Sequence, residues 1–262
     1  MKSEINRNCR HILAFFYLTI GFDSSVLAHS PAPAPKSPRI LILTGSNNHD
    51  WESTTAELIR LYEASGFTSI TVIKDPLQLV DKLQEGDVLV SNWNAWPQVT
   101  GRQWGRRSEK AFIKFMRKGG GLVLLHAASA TLQDWPEFQQ MAGATWKLDQ
   151  TGHGRIHTFQ VVMADSTHPV TNGMGPFMIT DELWHKMALQ PNIQVLCRAF
   201  SSPEYKGSGQ WEPVALVTHF GKGRCFYSIL GHDVQAMSSP GWQKLMLRGT
   251  EWAARAKVEL TK

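Results

Sequence analysis

The stretch Gly119-Gly120-Gly121-Leu122-Val123-Leu124-Leu125-His126-Ala127-Ala128-Ser129 decides how this chain is read. Its three glycines close a helical pattern, the four apolar residues that follow read as a strand buried on both faces, and a histidine stands where that strand ends. In an open α/β sheet the ligand crevice lies outside the carboxyl ends of the strands. His126 is therefore placed at the edge where a site would form.

Upstream of this strand, residues 40–43, 70–73 and 87–91 read as short strands. Between them lie a helix over 52–65, with Leu58, Leu61 and Tyr62 at helical spacing, and a short helix over 77–83. A longer helix, 105–118, leads into the glycines. The alternation is that of a parallel sheet with crossover helices on both faces. Three strand ends deliver polar loops to one edge: His49 and Asp50, then Asn92, Trp93 and Asn94, then His126.

Downstream the pattern changes. After a helix over 135–142 come short β-like runs at 158–163, 177–183, 194–200, 214–219 and 225–230, several joined by turns, with Gly221-Lys222-Gly223 as a hairpin loop. The second half therefore adds mixed, largely antiparallel strands to the parallel core. Gly231-His232-Asp233 follows the last strand, and a helix over 241–256 closes the fold.

The N-terminus is different in kind. Lys2, Arg7 and Arg10 precede the apolar run 12–22, and Val26-Leu27-Ala28 offers residues a signal peptidase reads, so 1–28 is expected to be a signal peptide and the protein periplasmic or secreted. The run is well short of the ~20 residues of a spanning helix, so no stable membrane insertion is expected. A Pro-rich tether, 29–38, would lead into a single α/β domain, 39–262. Without 1–28 the formal charge falls from +5 to +4, because three bases and two acids are lost. That balance gives no case for nucleic-acid binding, and the basic residues Arg106 to Lys118 read as a solvated helix face. Cys197 and Cys225 both fall in strand-like runs, which leaves a disulfide or two buried thiols open.

Ten histidines are the chain's main chemical resource. His49, His126 and His232 each follow a core strand directly. If those strands are parallel neighbours, three imidazoles converge on one crevice and could hold a divalent metal with an open position, zinc first, with manganese, iron or nickel as alternatives. Asp181, Glu182, His153 and His185 are candidates for acid, base or a further ligand. A regular strand would turn only one of Asp181 and Glu182 toward the site. Asp50, Asn92, Trp93, Asn94 and Trp135 are expected to contact substrate, since aromatic faces suit the C–H faces of sugar rings.

With these residues in place, the chain resembles the ThuA-like (trehalose-utilisation) family of the class I glutamine-amidotransferase-like superfamily. The matching features are His49-Asp50, the stretch Gly119 to Ala128, Asp134-Trp135-Pro136 with Gly143, His168-Pro169, Asp181-Glu182-Leu183-Trp184-His185, Gly221-Lys222-Gly223-Arg224 and Leu230-Gly231-His232. The resemblance implies a flavodoxin-like core. It also places His126-Ala127-Ala128 at the turn where glutamine amidotransferases carry a nucleophilic cysteine, so cysteine-based glutamine hydrolysis is not expected. It further implies sugar catabolism, with 3-keto sugars made by a partner sugar 3-dehydrogenase as substrates and metal-assisted β-elimination or hydrolysis of glycosides as the reaction. Two other readings stand beside it: a non-catalytic carbohydrate-binding protein, and a metal-free amide or ester hydrolase, for which no GxSxG motif is present. A homo-oligomer is compatible with all three.

Overall fold

The computed structural model describes residues 37–261. The segment read as a signal peptide and most of the tether lie outside the described residues. Within them the chain runs β1 (Arg39–Leu43), α1 (Trp51–Ala64), β2 (Ser69–Ile73), α2 (Leu79–Lys82), β3 (Val88–Ser91), α3 (Gly105–Arg117), β4 (Gly121–Leu125) and α4 (Pro136–Ala142). Then come β5 (Ala144–Thr145), β6 (Gly152–His153), β7 (His157–Met163), β8 (Phe177–Asp181), β9 (Trp184–His185), β10 (Ala188–Leu189), β11 (Gln194–Phe200), β12 (Trp211–Phe220) and β13 (Gly223–Ser228). Two helices close the chain, α5 (Val234–Met237) and α6 (Pro240–Arg255).

Nine strands form one sheet in the order β2-β1-β3-β4-β13-β12-β11-β7-β8. The first five are parallel, and this is the flavodoxin-like arrangement with β13 as its fifth strand. The remaining four pairings are antiparallel. Four reversals return the chain to its starting direction. The carboxyl end of β8 therefore emerges at the same sheet edge as the ends of β4 and β13.

The two halves differ in burial as their pairing requires. Every residue of β3 and β4 is buried, because helices cover both faces, whereas β7 alternates buried and exposed over its first five residues. Successive residues of β1 feed two cores. Ile40 and Ile42 pack with Leu58, Tyr62, Trp242 and Leu245 of α1 and α6, while Leu41 and Leu43 join the core that holds Trp104, just before α3, with Phe112 of α3 and Phe138 of α4. Asp50 caps α1 by accepting the Ser53 N–H at 3.1 Å, and Pro240 opens α6 at a position where its missing N–H costs nothing.

Arg224, from the Gly-Lys-Gly-Arg motif, has a structural role. Its guanidinium donates to the carbonyls of Gly119, Trp252, Ala253 and Ala254 at 3.0–3.1 Å, fastening the last turn of α6 to the loop before β4. Cys197 and Cys225 are buried free thiols on β11 and β13, with β12 between them. Among the described residues no helix is long and apolar enough to cross a membrane.

A close backbone approach lies where β4 begins. A Cβ on Gly121 would sit 2.6 Å from the Ala253 carbonyl oxygen and 2.7 Å from its carbon, both backbone atoms of α6 that cannot rotate away. Gly121→Val is expected to destabilise the protein by about 1–3 kcal/mol through overpacking. Denaturant unfolding measures this; a midpoint equal to that of the unmodified protein would contradict the packing described here.

Candidate metal centre and substrate cavity

The turn after β4 is strained. His126 has φ 41°, a left-handed conformation that costs a residue other than glycine about 1–3 kcal/mol and persists only where its surroundings enforce it. Here they do. The Tyr227 hydroxyl donates to the His126 carbonyl at 2.6 Å and is itself bonded to Ser129 Oγ at 2.7 Å. The His126 ring is fixed through Nδ1, which donates to the Ile229 carbonyl at 2.7 Å and leaves Nε2 facing the site as an acceptor.

His49 is held in the same way. Its Nδ1 lies 3.0 Å from Asn47 Oδ1, which also accepts the His49 backbone N–H at 3.1 Å. Asn94 Nδ2 donates to Asn47 Oδ1 at 2.8 Å, to Asn48 Oδ1 at 3.1 Å and to the Ala127 carbonyl at 3.3 Å. Asn92 Nδ2 donates to the hydroxyls of Thr54 and Thr55 at 2.9 and 3.0 Å. Asn92 and Asn94 are thus buried braces of the His49 loop rather than substrate contacts, because their amide donors are already committed.

β8 stops at Asp181 instead of continuing through Leu183, and this changes what its two acids do. Once the strand is broken, both turn inward. Asp181 accepts the N–H groups of Glu182 at 2.8 Å, Gly231 at 2.7 Å and His232 at 3.2 Å. It is almost fully enclosed and does not line the cavity, so it is a positioning residue and not the acid or base expected. Burial pushes its carboxyl upward, against the pull of His126 and the three N–H groups.

Glu182 is the centre's carboxylate. Oε2 lies 3.3 Å from His126 Nε2 and 3.5 Å from His232 Nδ1, and accepts the Trp184 indole N–H at 2.8 Å. Oε1 lies 2.8 Å from His153 Nδ1. Burial alone would raise this carboxyl; the neighbouring His126 and His232 imidazoles more than offset it and hold it below the usual carboxylate range. Burial, with His126 and His232 close by, pushes His49 down to about 3, so its imidazole is neutral near neutral pH. The hydrogen bond to Glu182 raises His232, against burial.

One donor atom from each of His49, His126, Glu182 and His232 lies within 4.8 Å of all the others. His126 Nε2 and His232 Nδ1 are 3.3 Å apart, and each lies 3.3–3.5 Å from Glu182 Oε2. Donors sharing one tetrahedral ion with bonds of roughly 2.0–2.1 Å lie roughly 3.3–3.4 Å apart, so this triangle fits a single divalent cation. Anchoring of His49 and His126 through Nδ1 is the outer-shell support that metal-binding imidazoles receive. The three histidines expected at strand ends do converge, with Glu182 as a fourth donor.

The centre opens into a cavity of about 250 Å³ lined by Asn48, His49, Trp96, Ala127, Ala130, Trp146, His153, Glu182 and Trp184. Trp93 and Trp135, expected at the substrate, are buried instead, edge-on to Trp104 at 6.3 and 5.4 Å in the core between α3 and α4. Trp146 and Trp184 take the position expected of them. Asp50 is spent on its helix cap. His185 neighbours Trp184 on β9, and strand alternation turns it away from the cavity and against Gly152. Trp184 was legible in that alternation once Glu182 faced inward. Trp146 had no local signal, because its loop is folded back by the bond from Thr151 to the Lys186 carbonyl.

A family model described as ThuA, trehalose utilisation, matches residues 39–253. The chain belongs to the ThuA family. Its structure is similar to that of a ThuA-like protein from Parabacteroides merdae, at 30% identity and a TM-score of 0.77, over 85% of this chain and 92% of that one. A ThuA-like protein from Bacteroides uniformis matches at 20% identity and a TM-score of 0.64, over 89% and 100% of the two chains. A Thermoplasma acidophilum protein described as part of a GMP synthase shares the fold at 9% identity and a TM-score of 0.53, over 84% and 96%. No curated protein matches.

Two variants separate ligand from support in this ThuA protein. His126→Ala should remove stoichiometric metal while the far-ultraviolet circular dichroism stays that of a folded α/β protein. Asp181→Asn keeps every donor atom but loses an acceptor for the Gly231 or His232 N–H, and should weaken metal binding by about 10–100-fold in chelator competition. An unchanged dissociation constant in Asp181→Asn would reduce that residue to a brace of the fold.

Proposed function

We propose that this ThuA-family protein is an exported enzyme that cleaves glycosides, 3-keto-glycosides in particular, with the help of a divalent metal at the His49, His126, Glu182 and His232 centre. The observation that carries the reading is the triangle of donors spaced for one ion at the floor of a tryptophan-lined cavity. A divalent ion held there, with zinc the first candidate, would supply Lewis acidity toward a ketone oxygen. The chain's own residues supply the rest. His153 lines the cavity and is half-exposed, and with Nδ1 directed at Glu182 its Nε2 is left to act as a base.

In a 3-keto-glycoside the ketone acidifies the C2 proton. His153 takes that proton, the C2–H electron pair forms the C1–C2 double bond, and the C1–O bond breaks, its oxygen leaving with a proton from the imidazolium or water. Water then adds its hydroxyl to C1 and a proton to C2, so the net change is hydrolysis. Trp96, Trp146 and Trp184 would hold the ring by its C–H faces and exclude bulk water. A sugar 3-dehydrogenase would supply the substrate. Export rests on the N-terminal sequence pattern and is tested by N-terminal sequencing of the protein recovered from the periplasm or medium.

The metal-free hydrolase fares worse. Ser129 is fully buried and hydrogen-bonded to Tyr227, with no access to a substrate carbonyl. A non-catalytic binding protein would return its glycan unchanged, and product analysis decides between the two. Incubation with a 3-keto-glycoside should release aglycone. Removing the metal should lower the rate by about 100-fold or more, with recovery on adding back one metal, since a Lewis acid stabilises charge by several kcal/mol. Full activity in metal-free protein would remove the metal from the reaction.

A further inference from the structure

The lining of the cavity restricts its ligand further. We infer that the site accepts one uncharged glycosyl ring, rejects sugar phosphates and uronic acids, and leaves the remainder of the glycoside outside the cavity. The inference rests on the reading of this cavity as a carbohydrate site.

Charge is the first argument. Phosphate and carboxylate groups are recognised by Arg and Lys through short charge-assisted hydrogen bonds. The chain has 27 such residues and a positive balance, yet among the described residues none lines this cavity. Cations line a different groove, on the surface of α3, where Lys110, Lys114, Arg117 and Lys118 are exposed. The charged side chain lining the cavity is Glu182, whose charge a divalent ion at the centre would offset, so no side chain of the wall is left to pair with a phosphate or carboxylate. The cavity's other polar contacts are amide and imidazole groups, suited to hydroxyls.

Shape is the second. The cavity, about 250 Å³, falls below the roughly 300–1,000 Å³ that enclose a drug-sized ligand, and a disaccharide is of that size. Its aromatic walls are fixed in place. Trp184 is tied to Glu182 through its indole N–H, Trp146 stands edge-on to Trp184 at 4.7 Å, and Trp96 edge-on to Trp146 at 6.3 Å. Flat apolar faces bind the C–H face of a pyranose and give a phosphate nothing to replace its hydration. The reaction that supplies the substrate must therefore act on an unphosphorylated glycoside, and any phosphorylation of the sugar comes after cleavage.

The test is equilibrium binding, read by quenching of tryptophan fluorescence in the zinc-loaded full-length protein. The probes are the methyl 3-keto-glucoside, its 6-phosphate and 3-keto-trehalose. The neutral methyl glycoside should quench saturably, the 6-phosphate should bind at least about tenfold more weakly, and the disaccharide should bind within about threefold of the methyl glycoside. Equal or tighter binding of the 6-phosphate, a gain of about tenfold or more from the second ring, or no saturable quenching by any probe would overturn the inference. A neutral probe that binds as expected but is recovered uncleaved leaves the inference standing and removes the cleavage reaction instead.

Discussion

The Asp181 carboxylate joins two parts of the sheet that its strand order would keep apart. β8 and β13 are separated by β12, β11 and β7, roughly 19 Å across a flat sheet at ~4.8 Å per strand. Yet Asp181 accepts the Gly231 N–H at 2.7 Å. The antiparallel half must therefore twist and curl back over the end of the parallel half. Contacts farther along β8 agree, with Ser239 Oγ, at the start of α6, donating to the Met178 carbonyl at 3.0 Å. Without this closure His126 and His49 would face Glu182 across open solvent. With it, the last strand of the sheet delivers the carboxylate to a centre whose imidazoles come from the first half and from the turn after β13.

Backbone strain at His126 belongs to the same arrangement. A residue continuing β4 in extended geometry would alternate with Leu125 across the sheet and could not present its ring at the sheet edge. The left-handed turn lifts the imidazole out of that alternation. The polar groups that stabilise the turn, Tyr227 and the Ile229 carbonyl, come from β13 and its exit, the strand paired with β4. The hydroxyl nearest to the turn in sequence, Ser129, is consumed in holding it, and the nitrogen that the turn presents is one of the donors of the triangle.

The parallel half was readable from sequence because burial on both faces leaves unbroken apolar runs, as in Val88 to Val90 and Leu122 to Leu125, and because polar residues directly after such runs must lie at one sheet edge. That logic brought His49, His126 and His232 together. It failed where local pattern and tertiary position part company. Asp181 and Glu182 look like alternating strand residues, and only the termination of β8 turns both inward. Trp93 and Trp135 sit beside the predicted crevice in sequence, but Trp104 and Phe138 offer them a dry aromatic core, and burying a tryptophan there outweighs leaving it at the cavity. The asparagines were placed correctly at the edge, yet a buried amide must be satisfied, and the loop hydroxyls and carbonyls reach it first.

Glu182 makes the centre and the cavity a single unit. One oxygen faces the imidazoles and the Trp184 indole; the other faces His153. The same carboxylate sets the position of the donor triangle on one side and of His153 on the other. The donor triangle, His153 and the Trp184 wall are therefore held together through one side chain. That side chain is fixed by a strand end four strands away in the sheet from the turn bearing His232, so the geometry of the site depends on how far the whole sheet curls and not on any one loop.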